Sequence, residues 1–568
     1  MAAASCLALF AVACGPPDYD VILRGGTVYD GLGNDGVVAD VGIRGERIET
    51  IGNLSRSDGV VEIDVTGLAV APGFINMLSW ATQTLIEDGR AMSDIKQGVT
   101  LEIMGEGTSM GPLNPAMKDE LESRQSTIRF DVAWRSLGEY LDYLEQRGVS
   151  PNVASYVGAT TLRIHEVGYD DRPATPDELT KMQELVREAM REGALGVGSS
   201  LIYAPASFAS TEELVALVEA AAEYGGAYIS HLRSEGDRLE EAVQELIKIA
   251  SLTGAPAEVY HLKASGKSNW HKLENVFYLI EAARAAGLRV SADMYAYPAG
   301  STGLDATMPR WVQAGGHDAW VERLRDEGIR ERVAREMRDP DVDWENFFVQ
   351  AGPDGIILLG FRNPDLRPLI GKTLAEIADM RGTDPAYTAM DLVVEDNSRV
   401  DAAFFLMSEE NVRKKIAKPW ISFGSDAGAP ATEGVFLQSN PHPRAYGNFA
   451  RVLGRYRRDE ELVSLADAIR RMTSLPAYNT GIRERGQLSP GYFGDVVVFD
   501  PNSITDHATF SDPHRYASGV MHVFVNGVQV LHDGEHTGAT PGQVVRGPGW
   551  SGWEAEQGDA EVANSAAR

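Results

Sequence analysis

Two histidines stand directly after strand-like segments of the chain. His231 ends the run that begins at Ala227, and His261 ends the run that begins at Glu258. Alone, each would more often be a hydrogen-bonded residue of a sheet edge. The carboxyl ends of the strands in a parallel barrel meet at one rim, so we expect both imidazoles there. Because neutral imidazole is the commonest metal ligand, the pair predicts a metal site.

A third strand-like segment places a carboxylate at the same rim. The apolar run from Trp420 ends in Gly-Ser-Asp, which leaves Asp426 directly after the strand. Next to a divalent metal, such a carboxylate can accept the proton of a water whose pKa the metal lowers to about 7. Its alternative role is to cap the N-terminus of a following helix. Together with the two histidines, the pattern predicts that Asp426 is catalytic.

The elements that must position these side chains form a repeating pattern. From residue 72 to about residue 483, short apolar β runs alternate with helical stretches. This alternation indicates βα units around a parallel sheet. From about residue 304 to 418 the sequence is heavily charged and mostly helical. We therefore predict an α/β fold, a (β/α)8 TIM-like barrel over residues 72–483, with an inserted segment near the barrel mouth over about residues 304–418.

Both ends of the chain show a β pattern. Residues 20–71 and 484–548 contain short β-branched runs separated by Gly-rich turns, which is typical of antiparallel sheets. We predict that they pair into one small composite β-sandwich domain beside the barrel. Residues 549–568 are polar and rich in small side chains, and we predict a disordered tail.

The charge of the chain excludes one class of partner. Its 568 residues include 52 basic and 82 acidic side chains, which gives a net charge of −30. Such a surface repels phosphate backbones, so we expect no binding to nucleic acid. The acidity is most simply explained by solubility.

The first residues indicate export. The only cysteines are Cys6 and Cys14, and an apolar run lies between them. This run is too short to span a bilayer but suits the apolar part of a signal peptide. Residues 11–14, Ala-Val-Ala-Cys, resemble a bacterial lipobox, although no Lys or Arg precedes the run and position 11 is not Leu. We predict that residues 1–19 direct the protein to the periplasm or, through a lipid on Cys14, to the membrane surface.

Several segments resemble those of a known family, in the same order along the chain. They are Leu68–Ile75, Gly158–Arg163, Arg172–Pro176, Gly193–Val197, Ile229–Glu235, His261–Lys263, Asp293–Tyr297, His442–Arg444 and Arg451–Tyr456. On these segments the chain resembles the N-acyl-D-amino-acid deacylases (D-aminoacylases) of the amidohydrolase superfamily, from about residue 19 to 533. The resemblance implies a metal-dependent hydrolase of a linear amide C–N bond, with an N-acyl-D-amino acid as the first-choice substrate.

The resemblance also implies roles for individual residues. In that family a zinc ion is bound by one cysteine and two histidines, and the histidines match His231 and His261. The catalytic aspartate of the family matches Asp426. The positions that bind the substrate carboxylate match Lys263, Tyr295, Ser301 and Arg444. These residue types suit that task, because an Arg guanidinium can donate two parallel hydrogen bonds to a carboxylate. Lys and hydroxyl side chains add further hydrogen-bond donors.

One departure from the family concerns the cysteine ligand. Family sequences run Gly-Asn-Cys-Gly-x-Ser-x-x-Pro, whereas this chain reads Gly-Glu-Gly-Thr-Ser-Met-Gly-Pro from Gly105 to Pro112. With one deletion, Glu106 matches the cysteine. Two histidines and a glutamate form a known catalytic zinc set, which leaves a fourth position for water. A carboxylate is a harder ligand than a thiolate, so Mn²⁺ becomes more plausible beside Zn²⁺.

A second departure concerns the number of metal ions. The superfamily motif Pro-Gly-Phe-Ile-Asp-x-His-x-His reads Pro-Gly-Phe-Ile-Asn-Met-Leu-Ser-Trp here, from Pro72 to Trp80. Leu78 and Trp80 replace both histidines, and neither side chain can bind a divalent metal. We therefore expect one divalent metal ion rather than two.

Two other readings of the sequence remain open. The enzyme could hydrolyse another amide, such as a cyclic imide or a dipeptide. A non-catalytic binding protein could also have inherited the barrel, and the loss of His-x-His favours that reading. The presence of both histidines, the aspartate and a credible glutamate ligand speaks against it.

Overall fold

A computed structural model describes residues 17–553. The predicted signal run and Cys14 therefore lie outside the described residues. The described strands are β1 Tyr19–Val28, β2 Val37–Arg44, β3 Arg47–Gly52, β4 Gly59–Asp64, β5 Ala69–Pro72, β6 Phe74–Asn76, β7 Val99–Met104, β8 Asn152–Ser155, β9 Val157–Gly158, β10 Gly196–Ser200, β11 Ala227–His231, β12 Ala257–Val259, β13 Val290–Met294, β14 Gly300–Gly303, β15 Ile356–Gly360, β16 Asp401–Phe404, β17 Ile421–Phe423, β18 Val496–Phe499, β19 Val520–Val525, β20 Val528–His532 and β21 Glu535–His536.

Helices fill most of the connections between the strands. They are α1 Thr84–Glu87, α2 Met92–Ile95, α3 Pro115–Ser123, α4 Leu137–Arg147, α5 Ala159–Glu166, α6 Pro176–Arg191, α7 Thr211–Ala222, α8 Leu239–Thr253, α9 Leu273–Ala285, α10 Arg310–Gln313, α11 His317–Arg323, α12 Glu327–Met337, α13 Phe347–Ala351, α14 Leu374–Arg381, α15 Pro385–Asp396, α16 Glu409–Ile416, α17 Arg444–Arg451, α18 Leu465–Met472 and α19 Ser474–Thr480. A π-helical segment, Val452–Asp459, continues directly from α17. None of the helices in the described part of the chain is long and apolar enough to cross a bilayer.

Two parallel sheets build the barrel. One has the order β6-β7-β8 and the other has the order β17-β13-β12-β11-β10-β9. Only Tyr156 separates β8 from β9, so these two strands share one of eight positions around the barrel. The Met77 amide donates to the Phe423 carbonyl at 3.2 Å between β6 and β17, although the two sheets do not join into one continuous ladder. The predicted (β/α)8 architecture is confirmed.

Local sequence explains how a barrel helix forms and packs. Thr175 caps α6 by accepting from the Glu178 amide, and the Glu178 carboxylate accepts from the Thr175 amide in return. Pro176 occupies the first helical position, where its missing N–H costs nothing. Met182, Val186, Ala189 and Met190 recur at helical spacing and are buried in the main core. The helix thus covers the barrel with a single apolar face.

Both chain ends contribute strands to a single sheet. Strands β1–β5 and β18–β21 form a nine-stranded sheet of order β21-β20-β19-β18-β5-β1-β2-β3, with β4 also paired to β1. The two ends meet where β5 pairs antiparallel with β18. The predicted composite β domain is thus one hydrogen-bonded sheet with an apolar core of its own, which includes Leu23, Ile43 and Phe524.

The segment between β13 and β17 has a sheet and a core of its own. Strands β14, β16 and β15 form an antiparallel sheet in that order. A separate apolar cluster, which includes Leu304, Leu358 and Phe404, holds this segment together. The sequence predicted helices here but gave little strand signal, because β15 and β16 are short runs within charged sequence.

The described residues extend past the start of the predicted disordered tail. The Ser551 amide donates to the Arg191 carbonyl, and the Trp553 indole donates to the Gly547 carbonyl. Residues 549–553 therefore lie against the barrel. Residues 554–568 lie outside the described part of the chain.

A buried ion pair between α5 and α7 provides a test of the packing. Arg163 Nη1 lies 2.9 and 2.7 Å from the two carboxylate oxygens of Glu213, and both side chains are almost fully buried. Glu213→Ala would leave an unpaired buried guanidinium, so we expect the free energy of unfolding to fall by about 3–5 kcal/mol in urea denaturation. As the control, Arg187→Ala removes the partly exposed pair with Glu223 and should cost about 1 kcal/mol or less. Equal losses in both variants would contradict this account.

Candidate metal centre

Two adjacent strands bring the two histidines together. His231 is the last residue of β11, and His261 follows β12, which is paired in parallel with β11. Their ring centroids are 4.5 Å apart, and both side chains are buried. His261 has a φ of +35°, an uncommon conformation for a residue other than glycine. Such conformations cluster at functional sites.

Glu106 completes a group of three potential metal ligands. It follows β7 on a Gly-Glu-Gly turn, and its Oε1 lies 3.1 Å from His231 Nδ1 and 2.8 Å from His261 Nε2. The three ligand atoms lie within 4.8 Å of one another. Two imidazoles and one carboxylate that converge in this way fit a catalytic zinc set. The residues present therefore fit a divalent metal ion.

The flanking glycines explain how Glu106 reaches this position. Gly105 and Gly107 have φ values of +106° and +67°. A Cβ on Gly105 would overlap the Tyr156 carbonyl, and one on Gly107 would overlap the Ser200 side chain. Only glycine allows both the backbone conformation and the close approach of the neighbouring strands.

A second carboxylate lies behind both histidines. Glu235 Oε1 is 3.2 Å from His261 Nδ1, and Glu235 Oε2 is 3.4 Å from His231 Nε2. Each imidazole thus faces Glu106 with one nitrogen and Glu235 with the other. A carboxylate in this position fixes the ring orientation of a ligand histidine and increases its basicity. Lys263 Nζ lies 2.6 Å from Glu235 Oε1 and offsets part of this negative charge.

Burial and charge both act on the pKa values of this group. Burial raises the pKa of Glu106, but the charge of His261 and hydrogen bonds from both histidines lower it well below its usual range. Burial lowers the pKa of His231. For His261, the lowering effects of burial and Lys263 are outweighed by Glu106 and Glu235, which raise its pKa to about 10. The site is therefore built to hold positive charge between two carboxylates.

Asp426 stands at the same rim, just after β17. Its amide donates to the Leu78 carbonyl at 2.8 Å, and the amide of Ser425 donates to Asn76 Oδ1 at 2.7 Å. These bonds hold Asp426 at a φ of +50°. Its side chain is 11% exposed, and burial raises its pKa, against the opposing effect of Arg444. A carboxylate with a raised pKa can take up and return a proton more readily near neutral pH.

The four predicted substrate-binding residues all line one cavity with the metal ligands and Asp426. The cavity has a volume of about 940 Å³. Arg444 Nη1 lies 2.8 Å from Asp426 Oδ2 without hydrogen-bond geometry, and the Tyr295 hydroxyl has no hydrogen-bond partner among the described residues. By contrast, the Lys263 ammonium is engaged by Glu235 and by His261 Nδ1. Ser301 lines the wall on β14, and its carbonyl is 3.5 Å from Arg444 Nη2.

The two positions where superfamily histidines are replaced also lie beside the site. Leu78 is fully buried, whereas Trp80 is 39% exposed and lines the cavity. The Trp80 indole donates to Glu106 Oε2 at 2.8 Å. This contact was not predicted, nor was the position of Glu235 behind the histidines. The sequence did carry a signal for Glu235, because it stands four residues after His231 in a segment that resembles the family.

Comparison with known proteins identifies the family. Residues 61–531 match the model of an amidohydrolase family. The chain is 34% identical to the D-aminoacylase of Alcaligenes xylosoxydans xylosoxydans, over 93% of this chain and 97% of that protein. The chain therefore belongs to the amidohydrolase family, and it is a hydrolase of amide C–N bonds.

Two solved structures describe the metal chemistry of such relatives. A D-aminoacylase structure, 34% identical with a TM-score of 0.77, covers 93% of this chain and 100% of its own. That D-aminoacylase has a binuclear metal centre, for which activation by one metal ion and attenuation by the second are described. The N-acyl-D-glutamate deacylase of Bordetella bronchiseptica is 30% identical, with a TM-score of 0.76 over 93% of this chain and 99% of its own. It was solved with zinc and a phosphonate that mimics the tetrahedral intermediate.

The glycine turn around Glu106 can be tested directly. In Gly107→Ala, a methyl group would collide with Ser200, so Glu106 must move and we expect metal binding to fall by about tenfold or more. Gly168→Ala is the matched control, because its φ is +79° but its Cβ would meet nothing within 4 Å. Metal affinity of both variants is measured by isothermal titration of metal-stripped protein. If both bind metal equally well, the turn does not position the ligand.

Proposed function

We propose that this protein is a deacylase of N-acyl-D-amino acids that uses one divalent metal ion, zinc in the first place and manganese as the alternative. The observation that carries the proposal is the convergence of Glu106 Oε1, His231 Nδ1 and His261 Nε2 in the cavity that also holds Asp426 and Arg444. The 34% identity to a D-aminoacylase and the 30% identity to an N-acyl-D-glutamate deacylase support this substrate class.

Glu106, His231 and His261 would hold the metal ion, and Glu235 would orient the two histidines from behind. When bound there, a divalent metal ion lowers the pKa of a water molecule and polarises the scissile carbonyl. Glu106 contributes one negative charge to the site, and the two imidazoles contribute none when neutral. The rest of the reaction depends on groups that the chain itself supplies.

Asp426 is the proposed proton carrier. It accepts the proton of the attacking water and later delivers it to the leaving amine. Burial raises its pKa, while Arg444 keeps it from rising further, so the carboxylate remains available as a base. Hydrogen bonds from the Ser425 and Asp426 amides hold the turn that carries this carboxylate.

Arg444 and Tyr295 are the proposed anchors for the carboxylate of the substrate. Arg444 is 3% exposed, stacks over the Tyr295 ring at 4.5 Å, and keeps Nε and Nη1 without hydrogen-bond partners among the described residues. A bidentate contact from Arg444 matches a carboxylate, and the Tyr295 hydroxyl adds a donor. Ser301 can extend this set from β14. Lys263 contributes positive charge while its ammonium is held by Glu235.

The position of Arg444 argues for an acidic linear substrate over a cyclic imide, because an imide brings no carboxylate to bind. A non-catalytic binding protein would have no need of a buried aspartate on a constrained turn. Both features therefore support the deacylase proposal.

The first test is metal content together with activity. Purified protein should contain about one zinc or manganese per chain and should hydrolyse N-acyl-D-amino acids in preference to their L enantiomers. Glu106→Ala should lose both the metal and the activity, because two neutral imidazoles remain as ligands. Elemental analysis and paired D and L assays provide the measurements. Wild-type protein that contains much less than one metal ion per chain would contradict the proposal.

The second test separates the proton carrier from the metal site. Asp426→Asn should lower kcat by about 100-fold or more, since general acid–base groups contribute at least this much. Its metal content should stay at the wild-type value, because Asp426 is outside the ligand group. Asp506→Asn is the matched control, as Asp506 pairs with Arg451 at 2.9 Å away from the cavity lining. Full activity of Asp426→Asn would rule out its catalytic role.

A further inference from the structure

Trp80 is held in place by backbone contacts from both sides. Its amide donates to the Ala427 carbonyl at 2.9 Å, and the Ser79 amide donates to the Ile103 carbonyl at 2.8 Å. The segment from Leu78 to Trp80 therefore lies between the end of β7 and the turn that carries Asp426. These two hydrogen bonds fix the backbone from which the Trp80 indole extends toward the metal ligands.

The indole N–H is directed at one specific atom. Trp80 Nε1 donates to Glu106 Oε2 at 2.8 Å, while Glu106 Oε1 faces His231 and His261. Glu106 is only 5% exposed, so a second oxygen without a partner would be costly. The two oxygens of Glu106 thus have separate partners, the histidine pair on one side and the indole on the other.

This arrangement bears on the number of metal ions. A carboxylate has two oxygens and can bridge two metal ions, but a hydrogen bond from Trp80 occupies one of them. Trp80 stands where the second histidine of the superfamily motif would stand, and Leu78, at the first, is buried and offers no ligand atom. In the described part of the chain, Glu106, His231 and His261 are the group of three that could hold a metal.

We propose that Trp80 is a positioning residue that confines this centre to one metal ion and aligns Glu106 as a one-oxygen ligand. The inference rests on the proposed metal-dependent function. The indole N–H takes the place of a second cation at Glu106 Oε2. It neutralises no charge, so the full negative charge of Glu106 remains for the single ion. The second-metal attenuation described for a D-aminoacylase should therefore be absent from this protein.

The first experiment removes the indole N–H and keeps an aromatic ring at position 80. In Trp80→Phe, loss of a partner outside the ligand group should weaken zinc affinity by about tenfold or more, measured by isothermal titration of metal-stripped full-length protein. Trp420→Phe is the matched control, because the Trp420 indole donates to the Glu281 carboxylate at 3.1 Å away from the cavity. Its zinc affinity should equal that of the wild type. Wild-type affinity in Trp80→Phe, with tight binding in the wild type, would overturn the inference and leave the proposed function intact.

The second experiment does not depend on the stability of Trp80→Phe. Wild-type protein should bind about one zinc per chain even in excess zinc, whereas Leu78→His with Trp80→His should bind about two. Stoichiometry is measured by elemental analysis after equilibrium dialysis. One zinc ion in the double variant would overturn the inference, and two zinc ions in the wild type would overturn both the inference and the single-metal part of the proposed function. No zinc in the wild type would instead be a failure of the proposed function.

Discussion

The convergence of one carboxylate oxygen and two imidazole nitrogens on a buried point is the constraint on which the rest of the site depends. Burying Glu106 and Glu235 is costly unless each is paired, and the two histidines between them provide the pairing. The same pairing requires β7, β11 and β12 to end at one level of the barrel. The parallel register of β11 and β12 meets this requirement, because Ser230 is level with Val259.

The part of this site that the sequence predicted is the part that follows from strand ends. His231, His261 and Asp426 each come directly after an apolar run, and a parallel barrel brings such positions to one rim whatever the intervening helices are. The barrel itself follows from the βα alternation for the same local reason. These inferences need the order of the elements and their polarity, but no knowledge of side-chain conformation.

The parts that were not predicted depend on contacts between side chains far apart in the sequence. Trp80 meets Glu106 across 26 positions, and Glu235 meets Lys263 across 28. No periodicity links such pairs, and the rotamers that join them are set by the packed barrel. The strands β15 and β16 were missed for a related reason: they pair only with each other and β14, and Asp401 at the start of β16 interrupts the apolar pattern.

The two departures from the family pattern are physically coupled. A thiolate offers a metal site one ligand atom, whereas a carboxylate offers two oxygens. Placing Glu106 where the family has cysteine therefore leaves an additional buried acceptor, and such acceptors need a partner. The indole N–H of Trp80 donates the hydrogen bond that this oxygen requires. Glu106 and Trp80, which come from the two segments that depart from the family motifs, thus form one hydrogen-bonded arrangement in the structure.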